Sequence, residues 1–318
     1  MKSTHPTYLA LLFLALAATM FMAACAAPAP TSMPTTESPA LPPDTPTPEP
    51  AFTISPTAID LPPSPIPATP ALAPDDWQTL PVIPEISART LEIYRNGQRM
   101  GNNPRAFSKV GDCLSLSESY LVNYDSYGDY YNLGDFTSLQ ETIDYFQGSF
   151  KHAGFAVGDG FNTAAVLAPF RADPRQCQAG ESPLVCEYRH TRPAFAVVSL
   201  GTDDYTSNEI YEQRMRRIIE ISIEHGVVPL LLTKADNVTG DNYNAILANL
   251  SKEYDVPLVN FYAAVEQLPD RGLMDNIHFT GAVRAYDFSS EYLIYGWPLR
   301  NLTVLRALDA VRLAAAAE

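Results

Sequence analysis

Ala194-Phe195-Ala196-Val197-Val198-Ser199-Leu200 is a nearly continuous apolar run that breaks abruptly into Gly201-Thr202-Asp203-Asp204. Beyond it, Tyr211, Met215, Ile219 and Ile223 recur at a helical spacing on one face, and Glu224-His225-Gly226 places a glycine where a helix stops. A second apolar run, Val227 to Thr233, follows at once. A buried strand, an amphipathic helix and another buried strand, in that order, make a parallel pair joined by a crossover.

The same alternation extends in both directions. Phe107 to Gly111, Gly154 to Val157 and Pro257 to Asn260 read as three further strands, with helices over Asn242 to Tyr254 and, through Leu299, Leu302, Leu305 and Leu308, at the C-terminus. The expected fold class is therefore α/β, a three-layer sandwich around a flavodoxin-like parallel sheet. Pro229 has no N–H to give a ladder, so the fourth strand is expected to begin at Leu230. Ligands of such sheets bind beyond the carboxyl ends of the strands. Val110-Gly111-Asp112-Cys113-Leu114 lies at one such end and Gly201-Thr202-Asp203-Asp204 at another, while Asp275-Asn276-Ile277-His278 follows the last strand.

Three regions differ sharply in composition. Lys2 precedes an apolar run from Tyr8 to Ala24, the layout of a signal peptide, and Met22-Ala23-Ala24-Cys25 resembles a bacterial lipobox, which implies a lipid on Cys25 and an extracellular, membrane-anchored chain. Residues 26–76 hold more than half of the 28 prolines and no lysine or arginine, and read as a disordered tether. As polyproline II at ~3.1 Å per residue, it would reach on the order of 150 Å. Residues 77–318 suit one α/β domain. A net charge of −15 excludes nucleic acid as a partner, because no basic surface is available to displace counterions from a phosphate backbone.

Of the four cysteines, Cys177 and Cys186 lie in a polar loop with Gly180 and Pro183 and are expected to form a disulfide, since no histidine cluster accompanies them to make a metal pair. Cys113 is left without a partner. His5, His152, His190 and His225 have no evident partner and are read as solvated or structural. The tyrosine-rich segment from Tyr120 to Phe136 either caps the sheet, the preferred reading, or lines a sugar-binding cleft.

The ordered set GDCL at Gly111 to Leu114, Gly160, GTDD at Gly201 to Asp204 and DNIH at Asp275 to His278 resembles the motifs of SGNH/GDSL hydrolases over about Phe107 to Leu313. That resemblance implies acyl-ester hydrolysis without metal or cofactor, with Cys113 at the nucleophile position, His278 as base and Asp275 orienting it. The amides of Cys113 and Gly160 would supply the oxyanion hole, with Gly158 competing for the latter role, and Asp203 stands where the family has an asparagine. Asp112, Gly201 and Asp204 complete the expected pocket. Asp203 and Asp204 also suit a cap or turn, Cys113 also suits an inert buried thiol, and Ser115 and Ser117 read as helix-start residues. Two departures, cysteine for serine and aspartate for asparagine, leave two function classes: an extracellular esterase acting on glycan, small or lipid esters, and a surface binding module that keeps the pocket without efficient catalysis.

Overall fold

Four apolar segments pair side by side in parallel, β1 (Asn103–Gly111), β2 (Pro193–Ser199), β3 (Val228–Leu232) and β4 (Leu258–Val259), in the spatial order β1-β2-β3-β4. The structure is a computed structural model that describes residues 76–126, 128–236 and 242–317. His5, Cys25, the apolar run before it, the proline-rich segment up to residue 75 and Tyr127 lie outside the described residues.

The helices are α1 (Ala88–Met100), α2 (Cys113–Leu116), α3 (Gln140–Tyr145), α4 (Thr163–Leu167), α5 (Pro183–Thr191), α6 (Asn208–Glu224), α7 (Asn242–Tyr254), α8 (Phe261–Val265) and α9 (Gly296–Ala316). One layer packs α1 and α9 against the sheet and each other, and the other joins α5, α4, α6 and α7 in a row. Every residue of β2 and β3 is buried, as a parallel strand covered on both faces requires. This is the three-layer α/β sandwich expected from the alternation of strands and helices.

Two strand expectations need correction. Gly154 to Val157 does not form a strand but a single bridge, Val157 to Gly111, on the free side of β1. The reason is tertiary: the Phe155 amide donates to the buried Glu187 carboxylate at 2.8 Å, and the Ala156 carbonyl and Gly158 amide meet the β1 end. That bridge still gives the order segment 157, β1, β2, β3, β4, which is the flavodoxin-like arrangement. Pro229, in turn, lies inside β3, paired with Ala196, although the strand was expected to start after it. The Leu231 amide donates toward the β4 side, to Pro257 O at 2.9 Å. Pro229, two residues earlier, faces the same side before β4 begins, so its missing N–H interrupts no ladder.

Elsewhere, Pro183 opens α5 rather than lying in a loop, and Cys186 sits within that helix, where a disulfide ties it to Cys177. His152 is not partnerless: its Nε2 lies 3.1 Å from Glu187, a buried carboxylate that also accepts from Thr191. His225 contacts Ile221 O and His190 contacts Gln176 O. Tyr120 and Tyr124 are fully buried, and the Tyr124 ring meets Tyr131, Phe150 and Tyr286. That part of the tyrosine-rich segment lies in the core. No helix among the described residues is long and apolar enough to cross a membrane.

Candidate active site

β1 delivers Asp112 and Cys113 at its carboxyl end. Asp112 is completely buried and caps α2, its Oδ1 accepting from Leu114 N at 3.0 Å, while its Oδ2 has no hydrogen-bond partner among the described residues. Cys113 is therefore the first residue of α2, half-buried and free. Burial first, and then the Asp112, Asp203 and Asp159 carboxylates, push its thiol up to about 11. The site surrounds the sulfur with negative charge, so at neutral pH it rests as a thiol.

The second wall comes from the turn after Val157. Gly160 takes a left-handed φ of 64°, and a Cβ there would meet nothing. The Gly158 amide is engaged with the Gly111 carbonyl at 3.4 Å. Asn162 Nδ2 donates to Asp203 O, and Thr163 donates through N and Oγ1 to Asp204. Asp204 is thus a buried tie between two loops.

Gly201 opens the third loop with a φ of 131°, a conformation that side chains rarely adopt, and a Cβ there would press within 2.8 Å of the Lys234 side chain. Beneath the loop lies a buried group that the sequence did not announce: Lys234 Nζ contacts Asp236 Oδ2 at 2.7 Å and also the Thr202 hydroxyl. The Asp203 carboxyl is raised, by burial first and then by Asp112, with Lys234 pulling the other way and Asp159 and Asp204 adding to the rise. Its Oδ2 is enclosed and has no hydrogen-bond partner among the described residues. Asp159 and Lys234 thus act electrostatically on the site, and Asp236 pairs with Lys234. Their signal in sequence was position: Lys234 and Asp236 directly follow an apolar strand, and Asp159 lies between two glycines.

The last segment presents Asp275 and His278 on a turn closed by Met274 N to His278 O and Thr280 N to Gly272 O, both at 2.8 Å. Asp275 Oδ2 and His278 Nδ1 are 2.8 Å apart, and Asp275 Oδ1 accepts the Ile277 and His278 amides at 2.7 and 2.6 Å. These bonds hold the Asp275 carboxyl down at about 2. Ionised, it is an acceptor only, so Nδ1 carries the proton and Nε2 has a free lone pair. Both side chains are more than half exposed. A cleft of about 360 Å³ beside them is lined by Asp270, Arg271, Leu273, Met274, Asp275 and Asn276. Asp270 and Arg271 both adopt left-handed φ values, 47° and 53°, the kind of local strain that gathers at functional turns.

A buried arginine knits these segments together. Arg300, from α9, donates to Ser199 Oγ at the end of β2 and lies over the rings of Tyr120, Phe279 and Trp297 at 4.4, 5.2 and 5.6 Å. Tyr120 follows α2 and Phe279 follows His278. The segments bearing Cys113, Asp203 and His278 therefore converge on one guanidinium. Among the described residues, the one three-ligand group with metal-like spacing is Cys177, Glu181 and Cys186, whose two sulfurs are already joined.

No family model and no curated protein matches the chain. Among solved structures, it is similar to a GDSL-like lipase from Bacteroides thetaiotaomicron, at 12% identity with a TM-score of 0.40, over 70% of this chain and 98% of that one. It is also similar to a psychrotrophic esterase from Pseudoalteromonas, at 13% identity and a TM-score of 0.37, over 64% and 97% of the two chains. An SGNH-hydrolase family esterase matches at 20% identity and a TM-score of 0.36, over 68% and 98%.

Proposed function

We propose that this chain hydrolyses carboxylic esters by acyl transfer through Cys113, with His278 as base and Asp275 as the group that orients it. The observation that carries this reading is the Asp275–His278 contact at 2.8 Å, which holds Nδ1 as donor and leaves Nε2 to accept a proton. The sulfur attacks the ester carbonyl as Nε2 takes the thiol proton. The imidazolium then gives that proton to the departing alcohol oxygen, and a thioester remains. Water, losing a proton to Nε2, attacks the thioester carbon; the acid leaves and the proton returns to sulfur. Backbone amides at Cys113 and Gly160 are the candidate oxyanion donors. Asp203 hinders this hole while ionised and helps it when protonated, a state favoured by its raised pKa.

The carboxylates around Cys113 favour a second reading, a binding module with a compromised site, because they oppose both a thiolate and an oxyanion. Kinetics on a small acetate ester separate the two. A working nucleophile requires native turnover, with Cys113→Ala and His278→Ala losing similar amounts because they act as a unit. An intact scaffold with a weakened site predicts instead that Cys113→Ser with Asp203→Asn gains at least about tenfold, or ~1.4 kcal/mol of barrier. If neither protein turns over acetate or longer-chain esters, the binding-module reading stands.

The signal-peptide layout and the proline-rich segment further support an extracellular enzyme anchored through a lipid on Cys25 and working at the reach of its tether. Cys25→Ser should release the chain from the membrane fraction. An unchanged membrane fraction refutes the anchor.

A further inference from the structure

At the amino end of β1, opposite the end that carries Cys113, a cleft of about 550 Å³ opens between the strand, the loop after α3 and the last turn of α5. Arg105 and Phe107 of β1 are in its lining, with Ser149, His152, Phe155 and His190. The acids around it are already engaged by the protein. Glu187, wholly buried, accepts from the Ser108 and Thr191 hydroxyls and the Phe155 amide, and meets His152 Nε2 at 3.1 Å. Asp125 accepts from the Gln147 side chain and from the Gly148 and Lys151 amides, and Asp144 accepts from Gln140.

The donors, by contrast, have capacity left. Arg105 makes one bond, from Nη2 to Asp144 O at 3.1 Å, and its guanidinium lies 4.8 Å over the Tyr145 ring; no carboxylate among the described residues pairs with it. Ser149 Oγ accepts Phe107 N at 3.2 Å, but its own proton has no acceptor among the described residues although the residue is only 7% exposed. His152 keeps Nδ1. The Glu187 hydrogen bond raises its pKa against burial and the nearby Lys109 charge, so Nδ1 stays a donor to higher pH than in a free imidazole. Lys109 itself, lowered to about 8 chiefly by burial, donates to Phe150 O, while Arg105 and His190 line the cleft with His152. A cation would meet Arg105 and His152, and a purely apolar ligand would leave the Ser149 hydroxyl without an acceptor. An oxyanion gives all three an acceptor, and donors on three separate segments suit a tetrahedral head better than a planar carboxylate. The Phe155 ring, 4.9 Å from that of His190, supplies an apolar flank for whatever the head is attached to.

We propose that this cleft binds a phosphate dianion, free or carried by a small organic molecule, through Arg105, Ser149 and His152. Because it lies at the far end of β1 from Cys113, the site stands whether or not the chain hydrolyses esters. The test is calorimetric titration of the full chain, at constant ionic strength and about pH 7, with inorganic phosphate, phenyl phosphate and benzoate. At least one of the two phosphates should bind at millimolar or lower concentration and about tenfold more tightly than benzoate. Tighter binding of phenyl phosphate identifies an esterified phosphate as the ligand, and equal binding a free one. Arg105→Gln should weaken the phosphate that binds by about tenfold and leave thermal unfolding unchanged, since that side chain is exposed. The second pKa of a phosphate ester is about 6, so phenyl phosphate keeps its charge between about pH 7 and 9. Its affinity should fall over that range as His152 loses its proton, and His152→Gln should flatten the fall. Should that variant fail to fold, because Glu187 loses a partner, Arg105→Gln still decides. The proposal is overturned if neither phosphate binds, if benzoate binds as tightly, or if Arg105→Gln leaves the affinity as it was.

Discussion

Cys113 occupies the start of a helix, a position that ordinarily lowers a thiol pKa, yet burial and three carboxylates outweigh that and carry it to about 11. Two measurements follow at this scale. In the His278→Ala protein, where no base assists, alkylation of Cys113 by iodoacetamide should accelerate with pH up to about 11, and Asp203→Asn should shift the midpoint downward because one repelling carboxylate is gone; an unshifted midpoint would show that Asp203 does not face the sulfur. The same substitution bears on stability. The folded-state pKa of Asp203 lies above its unfolded value, so the ionised form is penalised in the fold and stability is lost as pH rises from the unfolded through the folded pKa. Asp203→Asn should therefore raise Tm at neutral pH, with the gain shrinking toward acid, as a pair of thermal melts would show. Cys113, Asp203, Asp275 and His278 were legible as candidates because each sits in a short motif in a recognisable order. Asp159 and Lys234 were not, because their influence acts through space from segments distant in sequence.

Among the elements, α1 shows how little of a helix's role its own residues reveal. Gly97 looks like a weak point in an otherwise regular helix, yet a Cβ there would lie 2.0 Å from Gly226 O, the glycine that ends α6 with a φ of 64°. Two glycines let the helix touch the turn entering β3, and Asn102 Nδ2 fastens the contact to His225 O and Gly226 O at 2.9 and 3.0 Å. An alanine in an open helix gains about 1 kcal/mol over glycine. Here the clash is with backbone, so Gly97→Ala should instead lower stability by roughly 1–3 kcal/mol, read as a fall in the denaturant midpoint at unchanged slope. A rise would mean that α1 can slide away from the turn. The segment 154–157 makes the complementary point: its apolar residues read as a strand, but Glu187, far along the chain, takes the amide that a strand would have used.

For the whole molecule, the convergence on Arg300 is the feature that no local pattern announces. Among the described residues its Nε and Nη1 have no hydrogen-bond partner, and aromatic faces and the Ser199 hydroxyl lie against the charge. A buried ion held so incompletely is a poor source of stability, and replacing it with an apolar side chain of similar length is often close to neutral. Arg300→Met should therefore unfold at nearly the wild-type temperature while losing ester hydrolysis, because the segments bearing Cys113 and His278 lose their common support. A large drop in Tm with proportionate loss of activity would instead make Arg300 a purely structural residue.

The alternation of apolar runs with helical periodicity was enough to determine the layered α/β fold, since strands buried on both faces and helices buried on one leave that pattern in any sequence. Sequence order was likewise enough to mark Cys113, Asp203, Asp275 and His278 as candidates, because parallel strands deliver their following residues to one edge. Tertiary structure alone decided that Pro229 could stay within β3, that Glu187 would reduce a strand to a bridge, and that three carboxylates would surround the thiol. It also decided that Tyr124 would be core while Tyr130 stayed exposed beside Arg284. Each of these depends on which distant groups share a few ångströms, and hydrogen bonding, burial and charge act over that distance without regard to separation along the chain.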